Sequence, residues 1–182
     1  CSQSFYFGAK VRNICHLRTI YYKKYYFCIK QQIVNMEEEI KFRHIMPAQI
    51  RFSDVDQFGH VNNSVYFSLY DLAKTNYLKE VLKTLDFGDM AVVVANINAN
   101  FFSPVFFSDE LLIETATVQL GNKSFTLLQR AIVANSGAVK CECRTVMVVY
   151  DMMTKEPLVM PENYKKDICE YEGKTLEELS KK

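Results

Sequence analysis

Two hydrophobic periods divide the chain. Between residues 64 and about 85 the apolar spacing is helical: Tyr66, Tyr70, Ala73, Tyr77 and Val81 follow i, i+4, i+7, i+11 and i+15. Leu69 and Leu72 widen that face, and so broad a face predicts a helix covered on most sides. From residue 91 the period is two. Ala91, Val93, Ala95, Ile97, Ala99 and Phe101 alternate with Asn96, Asn98 and Asn100, and Ser103-Pro104 ends or bends the strand. Three β-rich runs follow at 110–120, 124–134 and 138–150, separated by the tight-turn sequences Gly121-Asn122-Lys123 and Asn135-Ser136-Gly137. In the last run Val139, Cys141, Cys143, Thr145, Met147 and Val149 are expected to share one face. Upstream, residues 45–52 read as a first strand, with Pro47 marking its start or a sheet edge. A loop of small and polar residues, 53–63, joins it to the helix, and Asn62 or Asn63 is placed to cap that helix. The charged stretch from Glu162 predicts a short peripheral helix with a frayed end.

This order of strand, loop, long helix and four strands on short turns predicts an α+β fold. A curved antiparallel sheet would wrap around one long central helix, with little room for a second domain.

Composition and charge refine the picture. A chain of 182 residues with 49% hydrophobic and 24% charged positions suits one globular domain. The net charge of +1 hides an asymmetry. Residues 1–35 hold six cations (Lys10, Arg12, Arg18, Lys23, Lys24, Lys30) and no carboxylate, hence +6, while the 16 cations and 21 carboxylates of the rest give −5. The expected division is a basic-aromatic extension at 1–35, a folded domain at 36–160 and a peripheral tail at 161–182. Three readings of the extension are open: a start-site artefact with Met36 as the true beginning, a targeting or lipid-surface segment, or a basic-aromatic arm for nucleic acid. Nothing downstream supports nucleic-acid work. No run approaches the ~18 apolar residues of a membrane span.

Six cysteines and three histidines (His16, His44, His60) form no C-x-x-C pair and no ligand set. The cysteines read as free thiols in a reducing, cytoplasmic setting, with Cys141 and Cys143 packed rather than ligating. No metal and no cofactor is expected.

The chemistry is concentrated in Arg51-Phe52-Ser53-Asp54-Val55-Asp56-Gln57-Phe58-Gly59-His60-Val61-Asn62-Asn63-Ser64-Val65-Tyr66-Phe67. This run closely resembles the signature of hotdog-fold acyl-CoA thioesterases of the 4-hydroxybenzoyl-CoA thioesterase type, an aromatic-x-Asp-x-Asp-x-x-Gly-His-Val-Asn-Asn segment ahead of an aromatic-rich helix. Residues 100–111 and 121–126 give two weaker matches, so the resemblance runs from about 45 to 150. It implies a hotdog fold, a homodimer or homotetramer, and active sites at the subunit interface. By position it makes Asp56 the catalytic carboxylate and the backbone N–H of Asn63 the group that binds the thioester carbonyl. Asp54 receives no catalytic role.

The implied reaction suits these residues. A thioester carbonyl is a reactive electrophile with a good leaving group, so hydrolysis needs only a group that activates or replaces water and one that stabilises the oxyanion. A helix N-terminus supplies unpaired N–H donors and the positive end of the dipole. Asp56, just ahead of it, can act as nucleophile through a mixed anhydride or as general base on water. Gly59 lets the loop approach the substrate, and His60 either orients Asp56 or the substrate or stabilises the loop. Tyr66, with Phe67 and Tyr70, either lines an acyl pocket or packs in the core. Asp71 is the rival carboxylate. Lys123, Arg130 and Lys140 are the candidate cations for coenzyme A phosphates. The competing readings are an acyl-ligand-binding module without turnover, an acyl-carrier-protein thioesterase, a hotdog dehydratase or hydratase, and a structural subunit. The dehydratase reading lacks a suitably placed carboxylate–histidine pair.

Overall fold

A computed structural model describes residues 40–84 and 88–180. The basic-aromatic extension expected at 1–35 lies outside the described residues. Five antiparallel strands, β1 (His44–Ala48), β2 (Met90–Phe101), β3 (Leu111–Leu120), β4 (Ser124–Val133) and β5 (Ala138–Asp151), form one sheet in the order β1-β3-β4-β5-β2. The predicted turns at 121–123 and 135–137 connect the β3-β4-β5 meander. Helix α1 (Asn63–Leu82) covers one face, giving the helix-in-sheet α+β layout expected from the order of elements and the hotdog fold that the resemblance implies.

The tyrosine stripe of α1 is its buried face. Tyr66, Tyr70, Ala73, Tyr77 and Val81 are each at most 3% exposed. Burial of this kind contributes about 1.5–3 kcal/mol for each large apolar side chain. Two clusters share the helix. Tyr66, Tyr70 and Ala73 pack with Ile113, Ala131 and Cys141, whereas Tyr77, Leu78 and Val81 pack with Leu127, Met147 and Ile168. Between them Gln129 donates its amide to the Tyr70 carbonyl at 2.9 Å. The helix is less enclosed than its apolar content predicts, because Leu72 is 55% exposed. The opposite side, with Asp71, Thr75, Lys79 and Glu80, faces outward.

The first strand is shorter than expected and ends at Ala48; Phe52–Asp54 instead form a single 3-10 turn. Pro47 lies within β1, on the edge of the sheet, where the ladder tolerates its missing N–H. In β2 the period of two is interrupted. A bulge between Val94 and Asn96 switches the alternation, so Val92 and Val94 lie opposite Val149 and Met147, and Ile97 opposite Thr145. Val93, expected on the core side with Ile97, therefore falls on the other face. A second irregularity sets Val139 opposite Ile132 and removes it from the face shared by Cys141 through Val149.

The C-terminal stretch, read from its charge as a peripheral tail, forms α2 (Glu162–Glu172) and α3 (Leu176–Ser180), whose Ile168 and Leu179 are 1% exposed within the core. Even a charged residue is buried: the Glu172 carboxylate accepts from the Tyr77 hydroxyl (2.5 Å) and the Thr117 N–H (2.8 Å). Thr117 lies on β3 beyond the last residue paired to β1, so its edge N–H would otherwise lack a partner.

Candidate active site

The loop before α1 is fixed mainly by its own backbone. Asp54 accepts the Arg51 N–H through its carboxylate (2.7 Å) and the Asn62 N–H through its carbonyl (2.9 Å). Val55 and Val61 pair across the loop. Within this frame the Asp56 N–H donates to the His60 carbonyl, and the Gly59 N–H donates to the Asp56 carbonyl, both at 3.0 Å. Gly59 has φ +81°, a backbone region that L side chains rarely adopt. The Asp56 side chain closes the turn, its Oδ1 accepting the Phe58 N–H at 2.8 Å.

Asp54 is thus occupied with loop structure, while Asp56 keeps an oxygen in reserve. The Asp56 side chain is 21% exposed, and its Oδ2 lies 3.7 Å from His60 Nδ1, beyond hydrogen-bond reach. The His60 ring, in turn, stacks against Phe58. At the head of α1, Asn62 is the cap: its side-chain oxygen accepts the Ser64 N–H at 2.9 Å. Among the described residues nothing accepts the Asn63 N–H, the donor that opens the helix. A part-exposed carboxylate and an unspent helix-end donor therefore stand in one loop, seven residues apart in sequence.

The other candidates fall elsewhere. Tyr66 is 2% exposed and packs edge-on against Phe101, and burial pushes its phenol up to about 12. Asp71 is exposed and paired with Lys74 at 2.6 Å. Lys123 donates to the Pro157 carbonyl, and Arg130 pairs with Glu142 while lying over the Phe42 ring. The Cys141 thiol, pushed up to about 11 chiefly by burial, and the Cys143 thiol, pushed up for the same reason, stay protonated and packed. Among the described residues no three His, Cys, Asp or Glu side chains converge as a metal site requires.

One supporting element escaped the sequence reading. The connection from β2 to β3 backs the Asp56 loop: the Val61 N–H donates to the Val105 carbonyl at 2.8 Å, and His60 pairs with Phe106. That connection is braced by Asp109, whose carboxylate accepts the Phe106 N–H at 2.9 Å. Ser103-Pro104 and Asp109 were the available signal, but backbone pairing between distant segments leaves no side-chain pattern. Around the loop Phe52, Phe58, Phe106 and Phe107 are all exposed, with Phe52 and Phe107 in edge contact.

A curved antiparallel sheet around one helix, with a carboxylate loop at the helix head, defines the hotdog class. The chain belongs to the thioesterase-like superfamily, whose sequence profile matches residues 50–168. It is 29% identical over 114 residues to the long-chain acyl-CoA thioesterase FadM of Escherichia coli (strain K12), a match covering 62% of this chain and 86% of that protein. It is 23% identical over 120 residues to the acyl-CoA thioester hydrolase YbgC of Escherichia coli O157:H7, covering 64% and 89%. Among solved structures, a thioesterase from Thermus thermophilus complexed with coenzyme A and zinc superposes with a TM-score of 0.64 at 28% identity, covering 76% of this chain and all of that one. Thioester hydrolase, the enzyme class read from the sequence, is the class of these relatives. Among the described residues no helix is long and apolar enough to cross a membrane.

Proposed function

We propose that this protein hydrolyses acyl-CoA thioesters to the free acid and coenzyme A at the Asp56 loop. The observation that carries the reading is that the part-exposed Asp56 carboxylate and the unspent N–H of Asn63 lie seven residues apart at the head of α1. The thioester carbonyl oxygen points at Asn63, where the helix dipole favours the developing negative charge. As nucleophile, Asp56 attacks the carbonyl carbon, the C–S bond breaks, the thiolate leaves and takes up a proton, and water then hydrolyses the mixed anhydride. As general base, Asp56 takes a proton from the water that adds to the carbonyl. Gly59 shapes the loop and His60, stacked on Phe58 beside Asp56, faces the substrate, while Tyr66 supports the helix head from within the core.

The finer reading, a 4-hydroxybenzoyl-CoA type of enzyme, rests on the signature at residues 51–67. The names of FadM and YbgC favour coenzyme A over acyl carrier protein as the thiol carrier. The catalytic domain takes in the C-terminal helices as well as the sheet and α1, and the chain works as a homodimer or homotetramer with active sites at the subunit interface. Support for assembly comes from β2, one of the two edge strands, where Val94 and Ile97 are exposed.

The test follows free-thiol release from short, long and aromatic acyl-CoAs by wild type and Asp56→Asn. Turnover that falls about 100-fold or more in the variant, with the fold intact, supports both reaction and residue. Turnover that survives moves the role to Asp71. Acyl-CoA binding without turnover leaves the ligand-binding module instead.

A further inference from the structure

A cleft of about 580 Å³ lies between β1 and the C-terminal half of α1, lined by Arg43 to Pro47 on one side and by Asn76, Lys79 and Glu80 on the other. Asn76 is thirteen residues beyond Asn63, about 20 Å along the helix, so the cleft is separate from the Asp56 loop.

Four donors line this cleft, three of them without a strong acceptor. His44 is 6% exposed, and its Nδ1 is buried without a hydrogen-bond partner. Its Nε2 is 3.9 Å from the Glu80 carboxylate, too far for a hydrogen bond. Asn76 donates its amide only to the thioether sulfur of Met46, a weak acceptor. The Lys79 ammonium has no acceptor among the described residues. Arg43 is built in: its Nη1 donates to the Tyr171 carbonyl at 2.8 Å, and a Cβ on Gly173 would collide with its guanidinium. With Arg43, Lys79 and Glu80 the lining carries one net positive charge. Met46, on the same face of β1 as His44, adds an apolar surface, and Ile45 and Pro47 border the cleft from the other face of the strand.

We propose that this cleft is a second ligand site, which takes a small organic carboxylate. The carboxylate sits between Arg43 and Lys79, takes hydrogen bonds from the Asn76 amide and the His44 Nε2–H, and lays its hydrocarbon part on Met46. A single negative charge neutralises the lining, and an apolar body distinguishes the ligand from an inorganic anion. The site does not depend on the reaction proposed for Asp56.

The full chain, labelled with 15N at histidine, is titrated with sodium octanoate and sodium benzoate, with sodium chloride as the ionic-strength control. His44 reports on the cleft and His60 on the Asp56 loop. A saturable shift of the His44 ring nitrogens, absent with chloride and kept in Asp56→Asn, is expected. Lys79→Glu, on an exposed helix position, should weaken that response at least tenfold with the remaining spectrum intact. A response confined to His60, one that does not saturate, or one that Lys79→Glu leaves unaltered overturns the proposal.

Discussion

Val61 donates its N–H to the carbonyl of Val105 at 2.8 Å, and both side chains are at most 2% exposed. This bond joins the Asp56 loop to the connection between β2 and β3, so the carboxylate is held from two sides. On one side is the helix head, capped by Asn62. On the other is a segment more than forty residues away in sequence. Precision at the loop is therefore a property of the whole sheet, which is why small changes in the loop should be felt at the site.

Gly59 offers the cleanest such change. Its φ of +81° is unfavourable for alanine, yet a Cβ there would meet nothing within 4 Å. Gly59→Ala should thus cost about 1–2 kcal/mol through backbone strain alone. Because the Asp56 main-chain carbonyl accepts the Gly59 N–H and its Oδ1 accepts the Phe58 N–H, any relief of that strain moves the carboxylate. The expected outcome is a small drop in thermal midpoint with a larger drop in kcat/KM for acyl-CoA. A variant with wild-type turnover would show that the turn does not position Asp56.

Glu172 makes a prediction with a sign. Burial pushes its carboxyl above the ordinary 4.5, outweighing the hydrogen bonds from Tyr77 and Thr117. A raised carboxyl favours the protonated folded state, so this contribution is full below 4.5 and is lost as pH rises through the raised value. Glu172→Gln keeps an acceptor for both donors and removes the titration. Its stability relative to wild type should therefore improve between pH 4 and pH 8 in urea denaturation. Glu172→Ala, which leaves the Thr117 N–H unpaired while the Tyr77 hydroxyl keeps Thr117 Oγ1 at 2.7 Å, should cost about 1–3 kcal/mol.

His44 carries the opposite sign. Desolvation lowers its pKa below 6.5 despite the carboxylate of Glu80, so the fold favours the neutral ring. That contribution is full above 6.5 and is lost as pH falls below it, because the unfolded chain then takes up the proton first. His44→Phe retains an aromatic edge against Tyr77 and deletes the unpartnered nitrogen. Unfolding midpoints measured from pH 8 to pH 5 should fall in wild type relative to this variant. A flat difference would mean that His44 is solvated in both states.

The sequence reveals some of these features far better than others. Tyr66, Tyr70, Ala73, Tyr77 and Val81 announce the helix because every one of them is buried at the helical spacing. The 51–67 run likewise discloses the carboxylate loop, since its turn demands Gly59 and its helix head demands Asn62. The bulge at Ala95 is invisible. One extra residue in an apolar strand leaves the composition unchanged while exchanging the faces on either side. Ile168, Leu179 and Glu172 were obscured for another reason: few buried positions in a charged segment look like a tail until the site that accepts them is known. The Val61–Val105 bond is a backbone contact and has no residue signature at all.

The exposed edge of β2 gives the last prediction. β2 pairs with β5 on one side, and among the described strands none pairs with its other edge. Val94 and Ile97, on the helix side of the sheet by their register with Met147 and Thr145, are 40% and 42% exposed. Unpaired edge N–H and carbonyl groups beside exposed aliphatic side chains are what a second copy would cover, and a lysine on such an edge opposes that pairing. Ile97→Lys should shift wild-type dimers or larger assemblies toward monomer in sedimentation at micromolar protein, with little change in helix content. Activity should fall in step with the dimer fraction, because the proposed active sites lie between subunits. A wild-type protein that sediments as a monomer at full activity would refute both the interface and its role in catalysis.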